Sequence, residues 1–169
     1  GFIIEDSLTD NAIKDKLAKI NALAFERVGQ KLEVNLVALR QQSDKERFLK
    51  AAGLVAENTS LGLVLMSKDA ESLRLSAEAT KNKRPLLFPG LMEPLETIAR
   101  IAAETKCPLV VHAHNLEKLS ALSVEFSKRG VNELILDVGD KRIADKIWDF
   151  TQILSQALKK SNRDLGYPA

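Results

Sequence analysis

The chain has 169 residues, 45% hydrophobic and 28% charged, the make-up of one ordinary globular domain with room for a sizeable core. Its 25 Lys and Arg against 23 Asp and Glu leave a net charge of +2, so there is no basic footprint for nucleic acid. No apolar run nears the roughly 20 residues that span a membrane, Phe2–Ile4 is too short for a signal peptide, and a single cysteine, Cys107, excludes an internal disulfide and fits a reducing cytoplasm.

Phe2 to Ile4 is either an edge strand or an extended arm. Asn11 to Val28 predicts a helix with Ile13, Leu17, Ile20 and Ala24 on one stripe, ended by Gly29. Val34 to Leu39 is the first of five short runs rich in Leu, Val and Ile. The others are Leu61–Met66, Leu86–Phe88, Leu109–Val111 and Leu134–Leu136. They start roughly 25 residues apart, the length of one strand, one helix and two tight loops. Runs that are apolar throughout are buried on both faces, as parallel strands are.

Between the runs, Ser43 and Glu46 stand at capping-box spacing ahead of a helix that buries Phe48, Ala52, Val55 and Ala56. Asp69 starts a third helix, carrying Leu73, Leu75 and Ala77. Pro94 sits in the first turn of a fourth, where its missing N–H costs nothing, followed by Leu95, Ile98 and Ile101. Asn115 caps a fifth, with Leu119, Leu122 and Phe126 inward and Gly130 past its end. The sixth and longest runs from Lys141 to Lys160 on a stripe of Ile143, Ile147, Phe150, Leu154 and Leu158. Lys159, Lys160 and Arg163 decorate its carboxyl end, where cations favour the negative pole. Leu165–Pro168 reads as the start of a further strand, and a chain that opens on Gly1 instead of Met reads as a processed, tagged or excised piece.

A succession of right-handed βαβ crossovers gives an α/β fold. The strand pattern leaves two architectures open: a doubly wound sheet, or a (β/α)₈ barrel lacking its last strands. Both place chemistry at the carboxyl ends of the strands.

Phe25 to Arg40, FERVGQKLEVNLVALR, and Asp149 to Pro168, DFTQILSQALKKSNRDLGYP, resemble the large (gamma) subunit of the corrinoid iron–sulfur protein of the acetyl-CoA decarbonylase/synthase system. RPLLF at Arg84–Phe88, CPLVV at Cys107–Val111 and ELILDVG at Glu133–Gly139 extend the likeness over Lys16 to Pro168. The resemblance implies the middle, TIM-barrel segment of that subunit, with parallel (β/α) repeats and an incomplete barrel. It implies a scaffold role in passing a methyl group from a methyl-tetrahydropterin, through cobalamin, to acetyl-CoA synthase. The implied partners are the small subunit of the corrinoid protein, a pterin methyltransferase and acetyl-CoA synthase, with no nucleic acid and no membrane. The family's [4Fe–4S] domain uses four cysteines, and its corrinoid domain lies beyond the barrel. Neither is expected within this chain, which also has no D-x-H-x-x-G sequence for an axial histidine. Independent turnover, cobalamin binding by this segment alone and a well-behaved monomer are therefore not expected. Unpaired strand edges invite self-association or poor solubility.

Few residues can carry chemistry. His112 and His114, two apart at a strand end, point to one face and can share a metal or move protons, with Glu117, Asp137 and Asp140 as neighbours. Ordinary strand-end packing outranks that reading, because spacing fixes no third ligand. Arg40, ending its strand, can grip a carboxylate or phosphate, although an ion pair with a loop carboxylate ranks above it. Ser67 and Asp69 read as capping residues and Lys68 as solvated; Asp137–Asp140 reads as a tight turn more than an anion site. Cys107 lies at the start of a strand, the wrong end for a reactive thiol, and Trp148 packs at a helix edge or against a partner chain. Trp148, Phe150 and Tyr167 are too scattered for a stacking platform. Two readings compete with the scaffold: a free-standing small-molecule enzyme using Arg40, His112, His114 and Asp137, and a pure complex-assembly module.

Overall fold

A computed structural model describes residues 1–90, 94–159 and 163–169. The chain divides into two compact units, Gly1–Leu91 and Met92–Ala169.

The first unit contains β1 (Phe2–Glu5), α1 (Asp10–Asn21), β2 (Ala24–Arg27), β3 (Gln30–Glu33), β4 (Leu36–Arg40), α2 (Lys45–Asn58), β5 (Gly62–Ser67), α3 (Ala70–Ala79) and β6 (Leu86–Pro89). The amino-terminal run left undecided by its sequence is thus a strand. β1, β4, β5 and β6 pair in parallel, in that order. The register aligns Ile4 with Leu39, Leu39 with Leu65 and Leu65 with Leu87. All four side chains are buried, so one cross-strand row forms the centre of this core. Phe48, Ala52 and Val55 of α2 and Leu73 and Ala77 of α3 are buried too. Ala56 and Leu75 are only half-buried.

The helix expected over Asn11–Val28 stops at Asn21. Residues 24–33 instead form a hairpin in which Arg27 opposes Gln30, leaving Val28 and Gly29 as the turn. Both turn residues have positive φ, 51° and 72°, as the two-residue turn that matches strand twist requires. Gly29 therefore turns a hairpin and ends no helix. The physical reason is burial: residues 21–33 are all exposed, so past Ile20 a helix has no apolar stripe to bury. Phe25 and Leu32 face each other across the hairpin instead. A second correction concerns α2, which Asp44 caps, its carboxylate accepting from Arg47 N at 2.8 Å. Ser43 is displaced from the cap because its own amide is held by Asp6.

The second unit contains α4 (Leu95–Thr105), β7 (Leu109–His112), α5 (Leu116–Lys128), β8 (Leu134–Asp137) and α6 (Ile143–Lys159). β7 and β8 are parallel, with Val111 opposite Leu136 and His112 opposite Asp137. Pro94 immediately precedes α4, and Asn115 caps α5 by accepting from Lys118 N at 2.7 Å. Gly130, at φ 84°, lets Val131 N reach back to Phe126 O. Leu109, Val111, Leu119, Phe126, Leu134 and Leu136 make the core, while Leu122 is half-buried.

α6 carries the expected apolar stripe but turns it outward. Ile143, Ile147, Leu154 and Leu158 are 60–78% exposed, Trp148 is 65% exposed, and Ile153 is buried. The strand expected at Leu165–Pro168 is instead a 3₁₀ turn, Arg163–Leu165, and a tail that bends at Tyr167. One bond ties that tail to β8, from Leu136 N to Pro168 O at 2.7 Å. Lys160 and the side chains of Lys159 and Arg163 lie outside the described residues. Among the described residues no helix is long and apolar enough to cross a membrane.

Candidate functional site

In the first unit, the carboxyl ends of β4, β5 and β6 open onto a cavity of about 440 Å³ whose lining includes Arg40, Gln41, Met66, Ser67, Lys68 and Phe88. Its walls are held by hydrogen bonds that begin at Asp6. That carboxylate, fully buried just past β1, accepts from Gln42 N at 2.7 Å and Ser43 N at 3.0 Å. Gln41 links two loops: its amide donates to Ser43 O and to Ser72 Oγ, and its carbonyl oxygen accepts from Ser67 Oγ. Asp69 caps α3, accepting from the amides of Glu71 and Ser72 and from Ser72 Oγ. The Ser72 hydroxyl, ahead of the backbone donors, holds the Asp69 carboxyl below the usual carboxylate range.

Arg40 does not make the ion pair its sequence context favours. Among the described residues its guanidinium has no hydrogen-bond or ionic partner, and the same holds for the Lys68 ammonium. Three loop carboxylates of this unit, Asp6, Asp44 and Asp69, are committed to backbone amides instead.

In the second unit, His112, His114 and Asp137 come together. His112 Nδ1 lies 2.8 Å from Asp137 Oδ2, across the β7–β8 pairing. The other carboxylate oxygen accepts from Gly139 N at 3.1 Å. The two imidazoles meet edge to face with centroids 5.0 Å apart. Gly139 makes room for them: a Cβ there would lie 2.6 Å from His114 Nδ1 and 3.1 Å from His112 Cε1. Lys141 Nζ donates to His114 O and pairs with Asp149 Oδ2, each at 2.6 Å, which ties the β7 loop to α6. A carboxylate that fixes an imidazole's tautomer and orientation is half of a proton-transfer device. Glu117 and Asp140 are exposed and bond to neither ring, and among the described residues no three His, Cys, Asp or Glu are placed to hold a metal ion. Cys107 is buried at the start of β7.

Sequence reasoning missed Asp6, Gln41, Lys141 and Asp149. The one available signal was position: Asp6 and Gln41 each follow directly on an apolar strand, where a loop must satisfy its own amides. Nothing in the spacing of Lys141 and Asp149 marks them as a pair bridging a loop and a helix.

A second cavity, about 680 Å³, lies in the second unit between α6 and the tail, lined by Phe150, Ile153, Leu154, Leu158, Leu165 and Tyr167 among others.

A family model described as the CO dehydrogenase/acetyl-CoA synthase delta subunit matches residues 1–169. The corrinoid/iron-sulfur protein large subunit of Moorella thermoacetica is 36% identical over 166 residues, covering 98% of this chain and 37% of that protein. The acetyl-CoA decarbonylase/synthase complex subunit gamma of Methanothermobacter thermautotrophicus is 29% identical, over 98% of this chain and 37% of its own length. Subunit gamma 2 of Methanosarcina mazei is 30% identical, over 99% and 37%. The chain thus spans little more than a third of the length of these relatives, and the large-subunit resemblance read at Phe25–Arg40 and Asp149–Pro168 holds over the whole chain. Among solved structures, dihydropteroate synthase from Thermus thermophilus superposes with a TM-score of 0.65 at 12% identity, covering 98% of this chain and 68% of that one. The enzyme from Xanthomonas albilineans gives 0.63 at 14%, covering 99% and 69%. Those enzymes are TIM barrels, so the fold is of that type and the doubly wound alternative is set aside.

Proposed function

Because the chain belongs to the CO dehydrogenase/acetyl-CoA synthase delta subunit family, we propose that it is the barrel segment of a corrinoid iron–sulfur methyl carrier. The observation that carries this reading is the 36% identity to a corrinoid/iron-sulfur large subunit across 98% of the chain. The parent protein would take a methyl group from a methyl-tetrahydropterin onto cobalamin and deliver it to acetyl-CoA synthase, working with a small subunit and a pterin methyltransferase.

The residues present do not fit an iron–sulfur cluster. A [4Fe–4S] cluster needs a set of cysteine ligands, and this chain has one cysteine, buried at the start of a strand. The contribution of this segment is then mechanical: a parallel-stranded scaffold that positions what the rest of the protein holds.

The test is methyl transfer by the intact polypeptide assembled with its small subunit. Given methyl-tetrahydropterin and the methyltransferase, the reduced corrinoid should convert to its methylated form, read from the corrin absorption bands. An intact polypeptide that purifies without corrinoid and cannot be loaded with it would remove the reading.

A further inference from the structure

The cavity at the ends of β4, β5 and β6 has features that a scaffold does not require. It is bounded by two cations, and among the described residues neither has a partner. Arg40 is half-buried and Lys68 exposed, and no described residue pairs with either. Among the described residues of the lining the one carboxylate is Asp69, which accepts from Ser72 Oγ and the first amides of α3. The amides of Gln42 and Ser43 are turned away, held by Asp6. Among the described residues those commitments leave Arg40 and Lys68, with the side chains of Gln42 and Ser43, able to bind something else. Met66 and Phe88 add apolar surface.

The Lys68 stem packs against Gly90. A Cβ on Gly90 would fall 2.6 Å from Lys68 Cγ, so the lysine stem lies against a glycine that only a missing side chain allows. Gly90 N in turn donates to Ser67 O at 2.8 Å, which locks the loops after β5 and β6 together. Arg40 stands opposite Met66 in the β4–β5 register, with Lys68 two residues further along. Two cations from neighbouring strand ends, beside apolar surface, suit a doubly charged oxyanion on an apolar body.

We propose that this cavity binds a phosphate monoester with an apolar or aromatic body, its phosphate held by Arg40 and Lys68 and its body resting on Met66 and Phe88. A guanidinium and an ammonium together neutralise a phosphate dianion, whereas a single carboxylate would leave one cation unmatched. The site stands apart from the methyl-carrier reading and survives if that reading fails.

Phenyl phosphate is the probe, titrated calorimetrically into the intact protein. Saturable binding is expected, weaker for inorganic phosphate, which lacks the apolar body, and absent for benzyl alcohol, which lacks the charge. Arg40→Met and Lys68→Met should each weaken phenyl phosphate by about tenfold or more. Gly90→Ala should weaken it as well, by displacing the Lys68 stem while leaving every charge in place. Lys68 is an exposed side chain, so its variant tests the site without endangering the fold. No saturable binding of phenyl phosphate, binding indifferent to Lys68→Met, or benzyl alcohol binding as tightly as phenyl phosphate would each overturn the assignment.

Discussion

Asp6→Ala should destabilise the first unit by about 3 kcal/mol, because it leaves two loop amides without an acceptor. The carboxylate is fully buried and accepts from Gln42 N and Ser43 N, so its removal exchanges charge-assisted bonds for unpaired donors. Alanine also opens a small void under the loop. Asn is the informative companion: it keeps the volume and one carbonyl acceptor, and should cost about 1 kcal/mol. Urea unfolding of the intact protein measures both. The two substitutions also bear on the phosphate cavity, since Gln42 and Ser43 form part of its wall. If Asp6→Ala unfolds within about 0.5 kcal/mol of the parent, the loop does not depend on this carboxylate as argued.

Gly139→Ala should cost about 2–3 kcal/mol and break up the histidine pair. Two effects add. At φ 84° a Cβ meets the backbone, worth about 1 kcal/mol or more. The same Cβ would sit 2.6 Å from His114 Nδ1 and 2.9 Å from its Cε1, so at least one imidazole has to leave its position. Displacement of the rings should loosen the His112–Asp137 hydrogen bond, seen as loss of a downfield imidazole N–H resonance. Unchanged stability together with unchanged histidine resonances would show that Gly139 is not what makes room for the rings.

Much of the fold is legible in the amino-acid order because parallel strands buried on both faces leave uninterrupted apolar runs. Leu61–Met66, Leu86–Phe88, Leu109–Val111 and Leu134–Leu136 each fall within one or two residues of an observed strand. Asp69, Asn115 and Gly130 mark helix ends for the same local reason, a side chain or a positive φ that satisfies end groups. The hairpin at 24–33 was illegible because Ile13, Leu17, Ile20 and Ala24 keep helical spacing into it, and only tertiary burial says where the stripe stops being useful. Val28 hides the turn further, since Asn or Asp is the usual partner of glycine there. Periodicity shows that α6 has an apolar face and cannot show which way it points.

The site divides in the same way. Strand adjacency puts His112 beside Asp137, and period-two alternation puts His112 beside His114, both readable from sequence. Among the described residues the ion pair favoured for Arg40 does not form. Whether a loop carboxylate is available depends on which amides it already serves, and one sequence does not record that. Lys141 with Asp149, and Asp6 with the Gln42–Ser43 amides, are long-range choices of the same kind.

Whether this segment is the scaffold of a corrinoid carrier or the holder of its cofactor is decided by titrating cobalamin in parallel into the intact polypeptide and into the 169-residue chain. A shift of the corrin absorption bands, saturating at micromolar cobalamin, is expected for the intact polypeptide alone. Micromolar binding by the 169-residue chain, or none by the intact polypeptide, would contradict the scaffold role.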